Sequence, residues 1–313
     1  MIVHEPVLLE EVLTLLVPPT DDGLLVDATL GQGGHAEAFL KRYPECFLIG
    51  VDADSAVLET ARARLSPFAD RIELVRAWFG DFFSRYAKTG AGRMPDIVLF
   101  DLGISSFHYI ASGRGFSFDR EEPLDMRLDP ELAASAADLV GSSSRQELSG
   151  ILREFGEERY AWEIAGRIVR ERQKAPISTS ARLARVIAEA VPPSYRHGKI
   201  HPATRSFQAL RIAVNSELDQ LGSGLAAAFG VLKPGGRIGV ITFHSLEDRI
   251  VKRFFRDKAM GCSCPPEWPI CQCGGKAELR TVTRKPVVPS EREIAANPPS
   301  RSAKLRVAEK GAA

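Results

Sequence analysis

At 313 residues, 44% of them hydrophobic and 26% charged, the chain is long enough for one large domain or two and has the composition of a globular protein. No apolar run approaches the roughly 20 residues needed to span a bilayer, and the opening MIVHEPVLLEEVL carries acids where a secretory leader would carry lysine or arginine, which points to the cytoplasm. The net charge of +1 conceals a division: residues 1–144 hold 12 Lys/Arg against 23 Asp/Glu, residues 145–205 hold 12 against 7, residues 206–248 hold 3 against 4, and residues 249–313 hold 14 against 6. An acidic core flanked by basic segments suits a polyanionic partner, although solvated helix faces would give the same count.

In chain order, LLVDATLG (24–31) is a short apolar run that ends in glycines, and HAEAFLKRY continues as a helix. CFLIGVDAD (46–54) repeats the pattern, with SAVLETARARL as its helix, apolar at 57, 58, 61 and 65. RIELVRAWF (71–79) and DIVLFDLG (96–103) follow as a third and a fourth strand. Four strands with helical crossovers imply a parallel, doubly wound α/β sheet. From about 125 to 200 the alternation stops, and RQELSGILREFGEERYAWEIAGRIVRERQ and SARLARVIAEAV have long helical patterns. Then SFQALRIAVNSELDQLGSGLAAAFGVL reads as one long helix, KPGG as a tight turn, RIGVITF (237–243) as a fifth strand and LEDRIVKRFF as its helix. ELRTVTRKPVV and SAKLRVAEK have the alternation of closing strands. The expected organisation is a discontinuous α/β domain, 1–124 and 201–313, with an inserted helical domain, 125–200, and a cysteine-rich insertion at 262–273. An insertion after the fourth strand is suggestive, because ligands of such sheets bind beyond the carboxyl ends of the strands.

The glycine turn in DATLGQGGH (27–35) suits a dinucleotide, a phosphate or S-adenosylmethionine. A P-loop is set aside, since no Lys-Ser/Thr follows the glycines. Asp52, at the end of the second strand, fits an adenosine ribose in either remaining case. Asp27 suits a sulfonium or ammonium better than a pyrophosphate, with a turn or cap residue as its plain alternative, and LKPGGR before the fifth strand is common punctuation in class I methyltransferases.

With DATLGQGGH, DLGISS, RGFSF, PLDMR, GEERYA, HPATRSFQALRIAVNSEL, FHSLEDRIVKRFF and NPPSRSAKLRVAEK in this order, the chain strongly resembles the bacterial small-subunit ribosomal RNA methyltransferase H family, from His4 to Lys310. The resemblance implies a class I S-adenosylmethionine-dependent methyltransferase fold, a Rossmann-like sheet with an inserted all-helical substrate-recognition domain. It also implies N4-methylation of a specific cytidine in the decoding (P-site) region of 16S rRNA. The partner it implies is 16S rRNA within the small ribosomal subunit, with no membrane and with homodimerisation left open. Carried over, the family's cofactor contacts fall on Gly33, Gly34, His35, Asp52, Phe79 and Asp101. The last contact is usually a Gln in SSPQ, where this chain has SSFH; His108 takes that place and offers one hydrogen bond of the two functions of an amide.

For the chemistry, Asp101 is expected between cofactor and target amine, with Ser105 or Ser106 accepting an N4 hydrogen, because in-line transfer to a weakly nucleophilic amine depends on orientation and hydrogen bonding. Phe116 and Phe118 are expected to stack on a base drawn from its helix, against loop packing as the alternative. Arg114, Arg127, His201 and Arg205 are expected to contact RNA, against salt bridging. FHSLEDR (243–249) either shapes the base pocket or a metal site through His244, Ser245, Glu247 and Asp248, or caps the helix that follows. Cys262, Cys264, Cys271 and Cys273, in CSCPPEWPICQC, offer a Zn²⁺ site of moderate signal, Cys-x-Cys twice, and Cys46 reads as core. The rival functions are a nicotinamide-dependent dehydrogenase, on GQGG and Asp52, and a non-catalytic RNA-binding assembly factor, on the basic insert.

Overall fold

The structure is a computed structural model and describes residues 6–89, 93–198, 200–261, 264, 268, 270, 272–273 and 275–311, apart from the Ser106 side chain. The chain forms two compact units: Met1–Ile104 with Leu218–Ala313, and Ser105–Glu217.

The first unit is built on seven strands: β1 (Leu24–Asp27), β2 (Phe47–Asp52), β3 (Ile72–Arg76), β4 (Ile97–Asp101), β5 (Arg237–Thr242), β6 (Leu279–Thr281) and β7 (Lys304–Lys310). Their order in the sheet is β3-β2-β1-β4-β5-β7-β6. β1 to β5 pair in parallel, whereas β7 runs antiparallel to both β5 and β6. The strand order reverses between β1 and β4, and the crevice at such a point is where open α/β sheets bind ligands.

Parallel strands covered on both faces read as continuous apolar runs, and here successive residues feed opposite cores. Leu25, Leu48, Ile97, Leu99 and Ile241 face one core, which the helices Leu9–Leu15, Gly34–Arg42 and Ser55–Leu65 close with Leu13, Phe39, Leu40, Leu58 and Leu65. Val26, Ile49, Val98, Phe100 and Val240 face the other core, closed by Phe82 and Phe83 of Phe79–Thr89, Leu225 of Glu217–Val231, and Val251 and Phe255 of Ser245–Met260.

The second unit is helical, and the expected insert, 125–200, lies inside it. Its principal helices are Ala136–Ser142, Arg145–Gly156, Ala161–Lys174, Ser180–Ala190 and Thr204–Asn215. Ser135 with Asp138 and Ser144 with Glu147 form capping boxes that start the first two. The two long helical patterns of the sequence are each broken. Glu157 (φ 47°) ends Arg145–Gly156, and Ser216 (φ 49°) ends Thr204–Asn215, both in the left-handed region. Asn215, 2% exposed, shows why the second break is held: its amide donates to the Met126 and Arg211 carbonyls and accepts the Leu128 amide.

Candidate active site

The carboxyl ends of β1, β2 and β4 bring the glycine turn, Asp27, Asp52 and Asp101 to one rim of the first unit. The turn threads between two strands: the Ala28 amide donates to the Leu99 carbonyl at 2.8 Å and the Leu30 amide to the Val51 carbonyl at 2.9 Å. Gly31 (φ +54°) then donates its amide to Asp52 Oδ2 at 2.9 Å, while Asp52 Oδ1 accepts the Asp54 amide at 2.9 Å. Asp52 therefore shapes the turn through both of its oxygens. Gly33 (φ +78°) precedes the helix Gly34–Arg42 in the left-handed region that favours glycine, and a Cβ on Gly34 would lie 2.5 Å from Pro6 Cγ. Packing thus requires Gly34 whatever it binds.

Asp27 is 2% exposed. Burial pushes its carboxyl up to about 7, with the charge of Asp52 adding to the rise and the hydrogen bond from the Thr29 amide opposing it. Asp101 retains 24% side-chain exposure. Burial foremost, then the charges of Asp27 and Glu247, push it up to about 8 against the Gly103 amide. Asp101 Oδ1 is buried and lacks a hydrogen-bond partner among the described residues. Oδ2 lies 3.6 Å from His35 Nδ1. The other ring nitrogen, Nε2, donates to the Val7 carbonyl at 3.0 Å, which fixes the tautomer and turns Nδ1 toward Asp101. Phe79 closes another side, its ring edge-on to Phe100 at 5.3 Å.

Two contributors to this rim were not singled out in the sequence, Thr29 and the Val7 carbonyl, whereas Glu247 was. Thr29 Oγ1 accepts the Asp101 amide at 2.5 Å, joining the turn after β1 to the end of β4. The Val7 carbonyl aligns His35 and carries no side-chain signal. Glu247, 3% exposed, turns back to accept the Phe243 amide at 2.7 Å and the His244 amide at 3.2 Å. His244 Nδ1 accepts the Glu247 amide in return, and Asp248 pairs with Arg306 at 2.7 Å. FHSLEDR accordingly forms a capping box with His244 as the N-cap and Glu247 at the third helical position.

Apart from the cysteines, the remaining expected site residues belong to the second unit. Ser105 caps the helix Ser106–Ile110, its Oγ accepting the Phe107 amide at 3.3 Å; the Ser106 side chain lies outside the described residues. His108 is 4% exposed, and its ring lies 5.2 Å from Phe116. Phe116 is itself only 5% exposed, which corrects its expected role: a ring in the core offers no face to a base. Phe118 stacks on His201 at 4.4 Å and meets Phe207 edge-on at 5.1 Å.

Arg114 donates to the Arg127 and Leu128 carbonyls, and Arg127 holds both Asp125 oxygens at 2.8 Å together with the Pro130 and Leu132 carbonyls. These two guanidiniums brace their own loop. His201 and Arg205 are exposed, and Arg205 donates to the Glu157 carbonyl at 2.9 Å. Of the four clustered cysteines, Cys262 and Cys271 lie outside the described residues; Cys264 Sγ accepts the Gln272 amide at 3.3 Å, and Cys273 Sγ the Gly275 amide at 3.4 Å. Cys46 is buried at the amino end of β2.

A family model described as the MraW methylase family matches residues 1–311. The ribosomal RNA small subunit methyltransferase H of Treponema denticola is 56% identical over 308 residues, which span 98% of this chain and 97% of that protein. The protein of the same description from Heliobacterium mobile is 48% identical over 308 residues, 98% of each chain. Among solved structures, an rRNA methylase from Streptococcus thermophilus aligns with a TM-score of 0.41 at 10% identity, over 97% of this chain and 93% of that one. On the family match and these relatives, the chain belongs to the MraW methylase family; its fold is that of a class I methyltransferase, and its methyl donor is S-adenosylmethionine.

Proposed function

We propose that the protein methylates the exocyclic N4 of one cytidine in the decoding (P-site) region of 16S rRNA within the small ribosomal subunit. The observation that carries this reading is Asp101, a carboxylate at the end of β4 with one buried oxygen unbonded and its partner oxygen 3.6 Å from an oriented imidazole. An amine brings hydrogens that such an oxygen can accept. A ring carbon would instead call for a covalent nucleophile such as a thiolate, and the buried thiol of this sheet, Cys46, sits at the opposite end of β2. The ribosomal target is supported by the description of the relatives as small-subunit rRNA methyltransferases.

The residues of the rim fit the donor. Burial foremost, together with neighbouring acids, raises the pKa values of Asp27 and Asp101, and a cationic ligand would relieve that cost. Bound there, S-adenosylmethionine supplies an electrophilic methyl carbon on a sulfonium. Gly33, Gly34 and His35 would border its amino-acid end, Asp52 its ribose, Phe79 its base, with His108 in the place of the family glutamine. Asp101 orients the cytidine amine by accepting an N4 hydrogen, and Ser105 or Ser106 takes the second. When N4 receives the methyl group that the sulfonium would supply, Asp101, ionised beside that cation, would take up the displaced N4 proton. The helical unit is assigned to substrate recognition, with Phe118, exposed His201 and exposed Arg205 as its RNA contacts. A zinc staple by Cys262, Cys264, Cys271 and Cys273 is an accessory proposal, tested by metal analysis of untagged protein.

The reaction is tested by incubating small subunits from a strain lacking the modification with radiolabelled S-adenosylmethionine and mapping the label. One labelled N4-methylcytidine in the decoding region is expected. Label at a ring carbon or on another base would overturn the assignment, and no label would favour a binding factor.

A further inference from the structure

We infer that the outer face of the helix Ser245–Met260 tracks the phosphate backbone of the RNA strand that leads to the site, an inference that rests on the RNA reading above. The helix leaves the carboxyl end of β5, which pairs with β4 so that Ile241 lies beside Asp101, and it begins at the capping box just described. Its inner face is spent on the sheet: Leu246, Val251 and Phe255 are buried, with Ile250 and Phe254 packed beside them. On the other side, Arg249, Lys252, Arg253 and Arg256 recur at the i, i+3, i+4, i+7 spacing that places residues on one helical face, and all four are exposed.

The segment RIVKRFFR between them contains no acid. Lys252 and Arg253 form no ion pair among the described residues, whereas Arg256 pairs with Asp257 at 2.8 Å. At 1.5 Å per residue, Arg249 to Arg256 spans about 10 Å, roughly three nucleotide rises of one strand. Like charges at i, i+3 and i+4 cost a helix a few tenths of a kcal/mol per pair. That cost is recovered when a polyanion lies along the face, and each phosphate neutralised releases condensed counterions.

Such a surface differs from the bracing arginines of the helical unit. Arg114 Nη1 and the Arg127 guanidinium donate to carbonyls and a carboxylate, while Lys252 and Arg253 are exposed. The partner it fits is an extended anionic backbone rather than an apolar groove, because the exposed side of the helix from 249 to 256 presents no large hydrophobic side chain.

The test is the full-length double variant Lys252→Gln/Arg253→Gln, titrated with unmodified small subunits and with a single-stranded RNA oligonucleotide across 0.05–0.2 M KCl, about the range over which phosphate contacts are resolved. Loss of two phosphate contacts should reduce the slope of log K against log [salt] by about 1.4 and weaken binding at 0.1 M roughly 25-fold. Affinity for S-adenosylmethionine should be unchanged, KM for subunits should rise and kcat should hold. An unchanged slope with methyl transfer intact overturns the stripe alone. A variant slope that falls while the wild type transfers no methyl group overturns the proposed reaction and leaves the stripe standing. Loss of binding to phosphatidylglycerol vesicles without any change on RNA would overturn the RNA partner in favour of a lipid surface.

Discussion

β4 carries an aspartate at each end of its path through the sheet, and the two are treated in opposite ways. Asp96, fully buried before the amino end, accepts the Leu24 amide at 2.9 Å and the Lys233 ammonium at 2.8 Å. Asp101, at the carboxyl end, faces two further acids, has one oxygen without a partner among the described residues and is driven toward its protonated form. The first arrangement is what a fold does with a buried charge it means to keep, pairing it and using it to tie β1, β4 and the turn before β5. The second leaves charge uncompensated, which is destabilising in isolation and makes sense where a cationic ligand and an amine complete it. Stability and function are thus separated by the length of one five-residue strand.

The largest effect that sharpens this contrast is expected from Asp101→Asn. The amide keeps the shape and removes the proton acceptor, so kcat for methyl transfer should fall by about 10² to 10⁴, the range for losing a general base or a positioned electrostatic group. The melting temperature should hold or rise. A variant that retains wild-type kcat would break the functional half of the comparison. Asp96→Ala is its mirror image. It strands the Leu24 amide and removes the partner of Lys233, whose side chain is 43% exposed and can be rehydrated, so a loss of about 2 to 3 kcal/mol is expected in denaturant unfolding. Turnover per folded molecule should stay unchanged, and a fall in kcat would show that the two ends are not separable.

How much of this was written in the sequence follows the range of the interactions. The apolar runs at 24–31, 46–54, 96–103 and 237–243 became β1, β2, β4 and β5, because strands covered on both faces declare themselves locally. The placement of β7 between β5 and β6 did not, since it is settled by pairing across about seventy residues. Nor did the breaks at Glu157 and Ser216, where ordinary residues adopt left-handed backbone under the hold of distant partners such as Asn215 with Met126. At the site, glycines and carboxylates were readable as residue types. What the sequence could not express was which backbone atoms would serve: the Val7 carbonyl behind His35, and the loop carbonyls that occupy Arg114 and Arg127.

A smaller effect concerns pH and has opposite signs for the free and the liganded protein. In the free protein Asp27 and Asp101 sit at about 7 and about 8, above the roughly 3.9 of an unfolded aspartate. The folded state therefore holds more protons than the unfolded one, so the stability from these groups is complete below about pH 4 and is lost as pH rises through 7 and 8. A cationic donor favours the ionised carboxylates, so its binding should release protons and should tighten as pH rises toward these values, by up to about tenfold per pH unit for each proton released. Calorimetric titration with S-adenosylmethionine at pH 6.5 in two buffers of different ionisation enthalpy reads the proton count directly. Equal apparent enthalpies would mean that the acids are not relieved by the ligand. Asp101→Asn should abolish the portion of the release that this residue contributes.

The smallest effect is expected from Thr29→Val, and it tests whether the uncompensated end of β4 is at least held in place mechanically. Thr29 Oγ1 accepts the Asp101 amide, and its own amide donates to Asp27 Oδ1 at 3.3 Å, so one residue spans the two raised carboxylates through its side chain and its backbone. Valine preserves the branched shape and the backbone donor but leaves the Asp101 amide without its acceptor, at a cost of about 1 kcal/mol. If that bond positions Asp101, kcat should fall several-fold while KM for S-adenosylmethionine moves little, and Thr29→Ser, which restores the hydroxyl, should recover most of the rate. A loss of stability with kcat intact would mean that the bond only staples β1 to β4. The rim would then owe its geometry to the strand register of Asp27 beside Leu99 rather than to the hydroxyl that bridges it.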